Sequence, residues 1–189
     1  MIDWKGVFGL WYEVAFAELE HAVSNCPEEL WTASMWDVTT DPTHPPLPVA
    51  PDGSDHPLGI AALSAFWKVA FHALAATEWN MAGRPRDFTL SAPFSEVGPA
   101  FSDGGMENGT AREMLPMTPP SRETLLAYLD HDRKLVRRRL AATREVGDGE
   151  SEIGPWRGTT TTLLAHYHGT CCHLAAHETE LQMFLNQHR

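Results

Sequence analysis

Apolar residues recur at helical spacing in four long stretches of the chain. Between residues 4 and 24 they fall at Trp4, Val7, Phe8, Trp11, Val14, Ala15, Leu19, Ala22 and Val23, a run of three- and four-residue steps that predicts a first helix of about five turns. Pro27 ends it, or restarts it as a short segment through Leu30 and Trp31, since proline fits the first turn of a helix and not its interior. From about residue 59 to 81 a wide apolar face predicts a second helix, with Ile60, Leu63, Phe66, Trp67, Ala70, Phe71, Leu74 and Trp79 on it and Gly83 and Pro85 as its stop signal. A third helix is predicted over 121–143, with Leu125, Leu126, Leu129, Leu135, Val136 and Leu140 facing inward. Ser121 is its N-cap, although the capping-box position is Thr124 and not Glu or Gln. The fourth helix is expected from about 159 to 187.

The intervening stretches have a different composition. Residues 39–59 contain six prolines and two glycines and predict an extended loop. Residues 84–120 and 145–158 are again rich in Pro, Gly and polar residues, and loops this long in a compact domain usually carry function or cover something. Four amphipathic helices, few alternating β-branched runs and no internal repeat predict an all-α fold, an up-down-down-up type four-helix bundle with long Pro/Gly-rich loops. At 189 residues the chain is expected to be a single domain, 1–189, with one well-buried core.

Charge narrows the partners. Fourteen Lys and Arg against twenty-five Asp and Glu leave a formal charge of −11, a field that repels phosphate backbones and anionic lipid. No nucleic acid and no membrane partner are expected, and a small-molecule substrate fits better. The densest basic run, Arg133-Lys134 and Arg137-Arg138-Arg139, follows Asp130 and Asp132 in a helical pattern and is expected to be a solvated helix face. The opening carries acids within its apolar stretch, unlike a signal peptide, and no stretch of 18 uncharged apolar residues is present. A cytoplasmic location is therefore expected. Cys26, Cys171 and Cys172 are an odd set without framework spacing, expected to be reduced packing residues, with a soft-ligand or redox role as the alternative.

The chemistry lies in the last helix. His173 and His177 stand four residues apart in CCHLAAHETELQMFL, and at about 100° per residue they share one face, together with His166, Thr170, Glu180 and Phe184. Such a pair can hold one metal ion, although taken alone it is as readily a pair of structural histidines. A second signal is His72 in the middle of the second helix, among Phe66, Trp67, Phe71 and Leu74. Its ring nitrogens need partners, because burying them without any costs about 1–3 kcal/mol.

These segments resemble the DinB-like superfamily of metal-binding four-helix bundles over most of the chain. AFWKVAFHALAATEWNM resembles the family's second helix, RPRDFTLSAPFSE the loop after it, PPSRETLLAYLDHDRKLVRRRL the third helix, and HLAAHETELQMFL the final pattern HxxxHxxQL. The resemblance implies three metal ligands, His72, His173 and His177. Where Gln is usual after the histidine pair this chain has Glu180, which is either a neutral replacement, an added anionic ligand or a catalytic general base. Ala176 occupies a position that is often histidine.

Three imidazoles suit a divalent metal ion, Zn, Ni or Fe, and a carboxylate in the set would favour iron or manganese. The family includes metal-dependent thiol transferases and isomerases, so the resemblance implies a metal-dependent enzyme, a thiol transferase or hydrolase type using a low-molecular-weight thiol. The Trp-rich first helix and the Pro-rich loops would then line its pocket, although Trp4 and Trp11, seven apart on one face, are expected to be core residues first and a substrate platform only as the alternative. The alternative is a non-catalytic metal-binding or stress-related helical bundle. His166 is expected in the pocket or behind the ligands, while His21, His44, His56, His131 and His188 are given no role. A homodimer is expected from the wide apolar faces.

Overall fold

The computed structural model describes residues 3–37, 58–83, 88–97, 101–107, 110–113, 118–143, 153–156 and 159–189. Most of the Pro-rich stretch expected at 39–59 lies outside them. The protein is mostly helical. Four long helices, α1 (Trp4–Asn25), α3 (Phe66–Met81), α4 (Arg122–Ala142) and α5 (Leu163–Gln187), are joined by a one-turn α2 (Glu28–Trp31) and by two 3₁₀ turns at Ile60–Ser64 and Phe94–Val97. Two antiparallel hairpins, β1 (Phe101–Glu107) with β2 (Thr110–Glu113) and β3 (Ile153–Trp156) with β4 (Thr159–Thr161), punctuate the connecting stretches.

The termini follow local chemistry. Asp3, Ser121 and Thr162 each cap a helix by accepting from the backbone N–H three residues on, in α1, α4 and α5. At the end of α3 Gly83 adopts φ +85°, a left-handed conformation natural to glycine, and its N–H donates to Asn80 O at 3.0 Å. The second predicted helix is interrupted where 3₁₀ gives way to α. Ala65 is extended, at φ −65° and ψ 145°, because the backbone around it bonds to the segment after α2: Met35 N donates to Ser64 O at 2.8 Å and Phe66 N to Ala33 O at 3.2 Å. The fourth helix begins at Leu163 and not at 159, the preceding Thr159–Thr161 being β4; a run of β-branched threonines suits extended backbone.

Helix α1 packs on α4 and α5, and α3 packs on the same two. The core between them holds Tyr12, Phe16, Leu19, Phe66, Trp67, Phe71, Leu74, Leu129 and Leu174, all at most 1% exposed. Burying each large side chain is worth about 1.5–3 kcal/mol. α3 is the central element, with every residue except His72 buried. The basic run on α4 is a docking face as well as a solvated one: Arg137 makes a bidentate pair with Glu13 at 2.6 and 2.8 Å, and Arg133 reaches Glu20 at 2.8 Å. Among the described residues no helix is long and apolar enough to cross a membrane.

Replacing Leu19 by Ala is expected to lower unfolding free energy by about 2–5 kcal/mol in urea titrations, through lost contacts and a cavity. Leu10→Ala on the same helix, where the side chain is 64% exposed, is expected to change it by no more than about 0.5 kcal/mol.

Candidate metal centre

The packing of α3 against α5 brings His72, His173 and His177 together. The Nε2 atoms of His72 and His177 each lie 3.2 Å from Nε2 of His173, and one nitrogen from each of the three rings falls within 4.8 Å of the others. The rings meet edge to face, at interplanar angles of 61°, 89° and 83°. All three side chains are half-buried. The four-residue spacing on α5 supplies two of the nitrogens and the unbroken α3 supplies the third.

Hydrogen bonding alone does not account for this convergence. A ring nitrogen in neutral imidazole carries one hydrogen or one lone pair. Nε2 of His173 can therefore form only one well-aligned hydrogen bond, yet it faces two other Nε2 atoms. A tetrahedral ion about 2.0–2.1 Å from each nitrogen places neighbouring nitrogens about 3.3 Å apart, close to what the helices impose. The donor set thus fits a divalent ion, and three protein donors leave a further coordination position.

Glu180 meets the nitrogen of His177 that points away from the cluster. Its Oε2 accepts from Nδ1 of His177 at 2.8 Å, and its side chain is 46% exposed. That bond puts the hydrogen of His177 on Nδ1 and leaves the Nε2 lone pair directed at the other two histidines. In this geometry the Glu180 carboxylate orients the His177 ring. The reason is reach: at three residues' separation the carboxylate meets the near nitrogen of its neighbour first.

His166 lies two turns before the pair and is buried, with Nε2–H donating to Asn80 O at 2.9 Å. It lines a cleft of about 270 Å³ together with Met81, Arg139, Thr143 and Tyr167. Of the two tryptophans expected in the core, Trp4 stacks on Tyr167 at 6.2 Å between centroids, while Trp11 is 47% exposed beside Phe8 and His168.

A second cluster joins α3 to α4. One donor atom from each of Glu78, His131 and Asp132 falls within 4.8 Å of the others. Asp132 is fully buried, and burial, with the Glu78 charge adding, holds its carboxyl well above the usual carboxylate range. The sequence signal for it is the position of Asp132 on the inward stripe of α4, between Leu129 and Val136. Asp132 also stands at the head of the charged run over 130–139, whose composition is that of a solvated face.

The cysteines separate by environment. Burial pushes the Cys26 thiol up to about 12 and Cys171 up to about 11, whereas Cys172 is exposed with Sγ 3.5 Å from His168 Nε2. Both buried thiols have folded values above their ordinary 9.0. Their contribution to stability is therefore complete below about pH 9 and lost as pH rises through the folded values. At pH 8 iodoacetamide is expected to label Cys172 first and leave Cys26 and Cys171 protected, as read by peptide mass spectrometry.

The chain matches no family model, no curated protein and no solved structure, so the chemistry of the centre has to be read from its own donor atoms.

Proposed function

We propose that this protein is a DinB-like bundle that holds one divalent ion, Zn, Ni or Fe, on His72, His173 and His177, and that it is a metal-dependent enzyme of the thiol transferase or hydrolase type acting on a small molecule. The observation that carries this is the convergence of two Nε2 atoms on a third that can satisfy a single hydrogen bond. An ion held there supplies Lewis acidity toward a thiol or water near neutral pH. The chain's own contribution is positional. His72 reaches across from α3, and the Glu180 carboxylate fixes the tautomer and ring orientation of His177.

The up-down-down-up path belongs to the same proposal. Tyr12 of α1 bonds to Tyr167, and the Glu18 carbonyl accepts from Gln182, so partners rise along α1 and α5 together. Glu13 and Glu20 meet Arg137 and Arg133 in falling order along α4. Phe66, His72 and Asn80 of α3 meet Phe184, His173 and His166 in falling order along α5. These series support α1 and α5 running one way and α3 and α4 the other.

One observation favours a second reading, a non-catalytic bundle in which the ion braces two helices. The 270 Å³ cleft is lined by His166 and none of the three clustered histidines. The two readings separate on turnover: the brace predicts that metal raises thermal stability without any reaction of thiols with electrophiles, the enzyme that both occur.

Elemental analysis of protein purified without an affinity tag is expected to find Zn, Ni or Fe, and His173→Ala is expected to carry about one equivalent less than the wild type. Glu180→Ala is expected to fold and to weaken metal affinity by about 10–100-fold in competition with a chelator. Failure of the wild type to bind any of these ions after reconstitution would sink the proposal.

A further inference from the structure

We propose that Glu78, His131 and Asp132 form a second divalent-cation site, between α3 and α4, taking a first-row ion such as Mn(II) or Zn(II) through two carboxylates and one imidazole. The site is separate from the histidine trio. Glu78 lies six residues after His72, which is about 9 Å along α3 and about 120° round its axis, so one residue faces α5 and the other α4.

Three observations converge on it. Asp132 is 0% exposed, and both of its carboxylate oxygens lack a hydrogen-bond partner among the described residues. Nε2 of His131 likewise has none, and it lies 3.6 Å from Oε1 of Glu78, too far for a hydrogen bond. Glu78, 3% exposed, is held on both oxygens: Ser91 N–H donates to Oε1 at 3.0 Å and Tyr128 O–H to Oε2 at 2.6 Å. A carboxylate oxygen has two lone pairs, so Oε1 retains one for a ligand. Phe94 closes one side, its ring 4.4 Å from Tyr128 and 5.3 Å from His131.

A shared proton satisfies fewer of these atoms than a cation does. A proton between Asp132 and Glu78 makes one O–H···O bond and leaves His131 Nε2 and the second Asp132 oxygen as they are. A divalent ion engages a lone pair on each of the three residues and neutralises two carboxylates in a site where uncompensated charge is costly. Donors bound at about 2.0–2.2 Å lie about 3.0–3.5 Å apart around such an ion, a small contraction from the observed Glu78–His131 distance of 3.6 Å. Oxygen donors suit manganese, and imidazole broadens the set to zinc and iron. His131, with its side chain 27% exposed, gives the route from solvent.

The test is Mn(II) binding to metal-depleted protein, followed by calorimetry and by electron paramagnetic resonance of free Mn(II). His173→Ala, which disables the trio, is expected to retain about one equivalent, and adding Asp132→Asn is expected to abolish it. Asp132→Asn preserves shape; should it fail to fold by circular dichroism, Glu78→Gln takes its place. A measurement needing no variant is the imidazole NMR spectrum of the wild type, in which His131 signals are expected to broaden as Mn(II) is added. Retention of the equivalent in the double variant, its absence from folded His173→Ala, or unbroadened His131 signals at saturation would overturn the proposal.

Discussion

Polar groups placed between packed helices must find partners, and the contact of α3 with α5 is organised by that requirement. α3 is buried along almost its whole length, so a histidine in its middle meets only what the neighbouring helix offers. α5 offers two imidazoles one turn apart, and the Nε2 atoms of His72 and His177 each approach that of His173 to a separation that a small cation imposes. The Glu180–His177 bond extends the arrangement outward to solvent by setting which ring nitrogen carries the hydrogen. A centre built on two rigid helices keeps its donors in place through packing, with Phe66 against Phe184 on one side and His166 bonded to Asn80 on the other.

The same accounting explains the other contacts between helices. α1 and α4 dock through Glu13, Glu20, Arg133 and Arg137, partly exposed pairs whose individual contributions are small in water, about 0–1 kcal/mol each. They set register more than stability, which rests on the aromatic and aliphatic core beneath. Where α3 meets α4, by contrast, charge goes inside: Glu78 and Asp132 lie in the core and Tyr128 donates to one of them. Buried carboxylates are costly unless compensated, so the two polar interiors of this bundle, one of imidazoles and one largely of carboxylates, are where its chemistry concentrates.

Much of this was legible in the residue pattern, because helical periodicity survives averaging over long stretches. All four long helices were readable from their apolar spacing, as were the Ser121 cap and the stop at Gly83. Positions set by contacts distant in sequence were not. Ala65 is extended because residues 33–35 pair with its neighbours, a constraint absent from local spacing. The hairpin β1–β2 carries an Asn-Gly pair between its strands in sequence, a turn signal that the surrounding proline and glycine content masked. At the site, the three histidines followed from a motif resemblance, whereas the position of Glu180 depended on which atom its side chain reaches first. Asp132 and His131 escaped because a polar residue within a charged run reads as surface until its place on the inward stripe is noticed.

The central claim is that three Nε2 atoms share one ion. X-ray absorption at the metal edge, on protein purified without an affinity tag and reconstituted with Zn, tests it most directly. The account predicts multiple-scattering features of about three imidazoles, with nitrogen at about 2.0–2.1 Å, and loss of those features in His72→Ala. A spectrum dominated by oxygen or sulfur donors, or one unchanged in that variant, would contradict it.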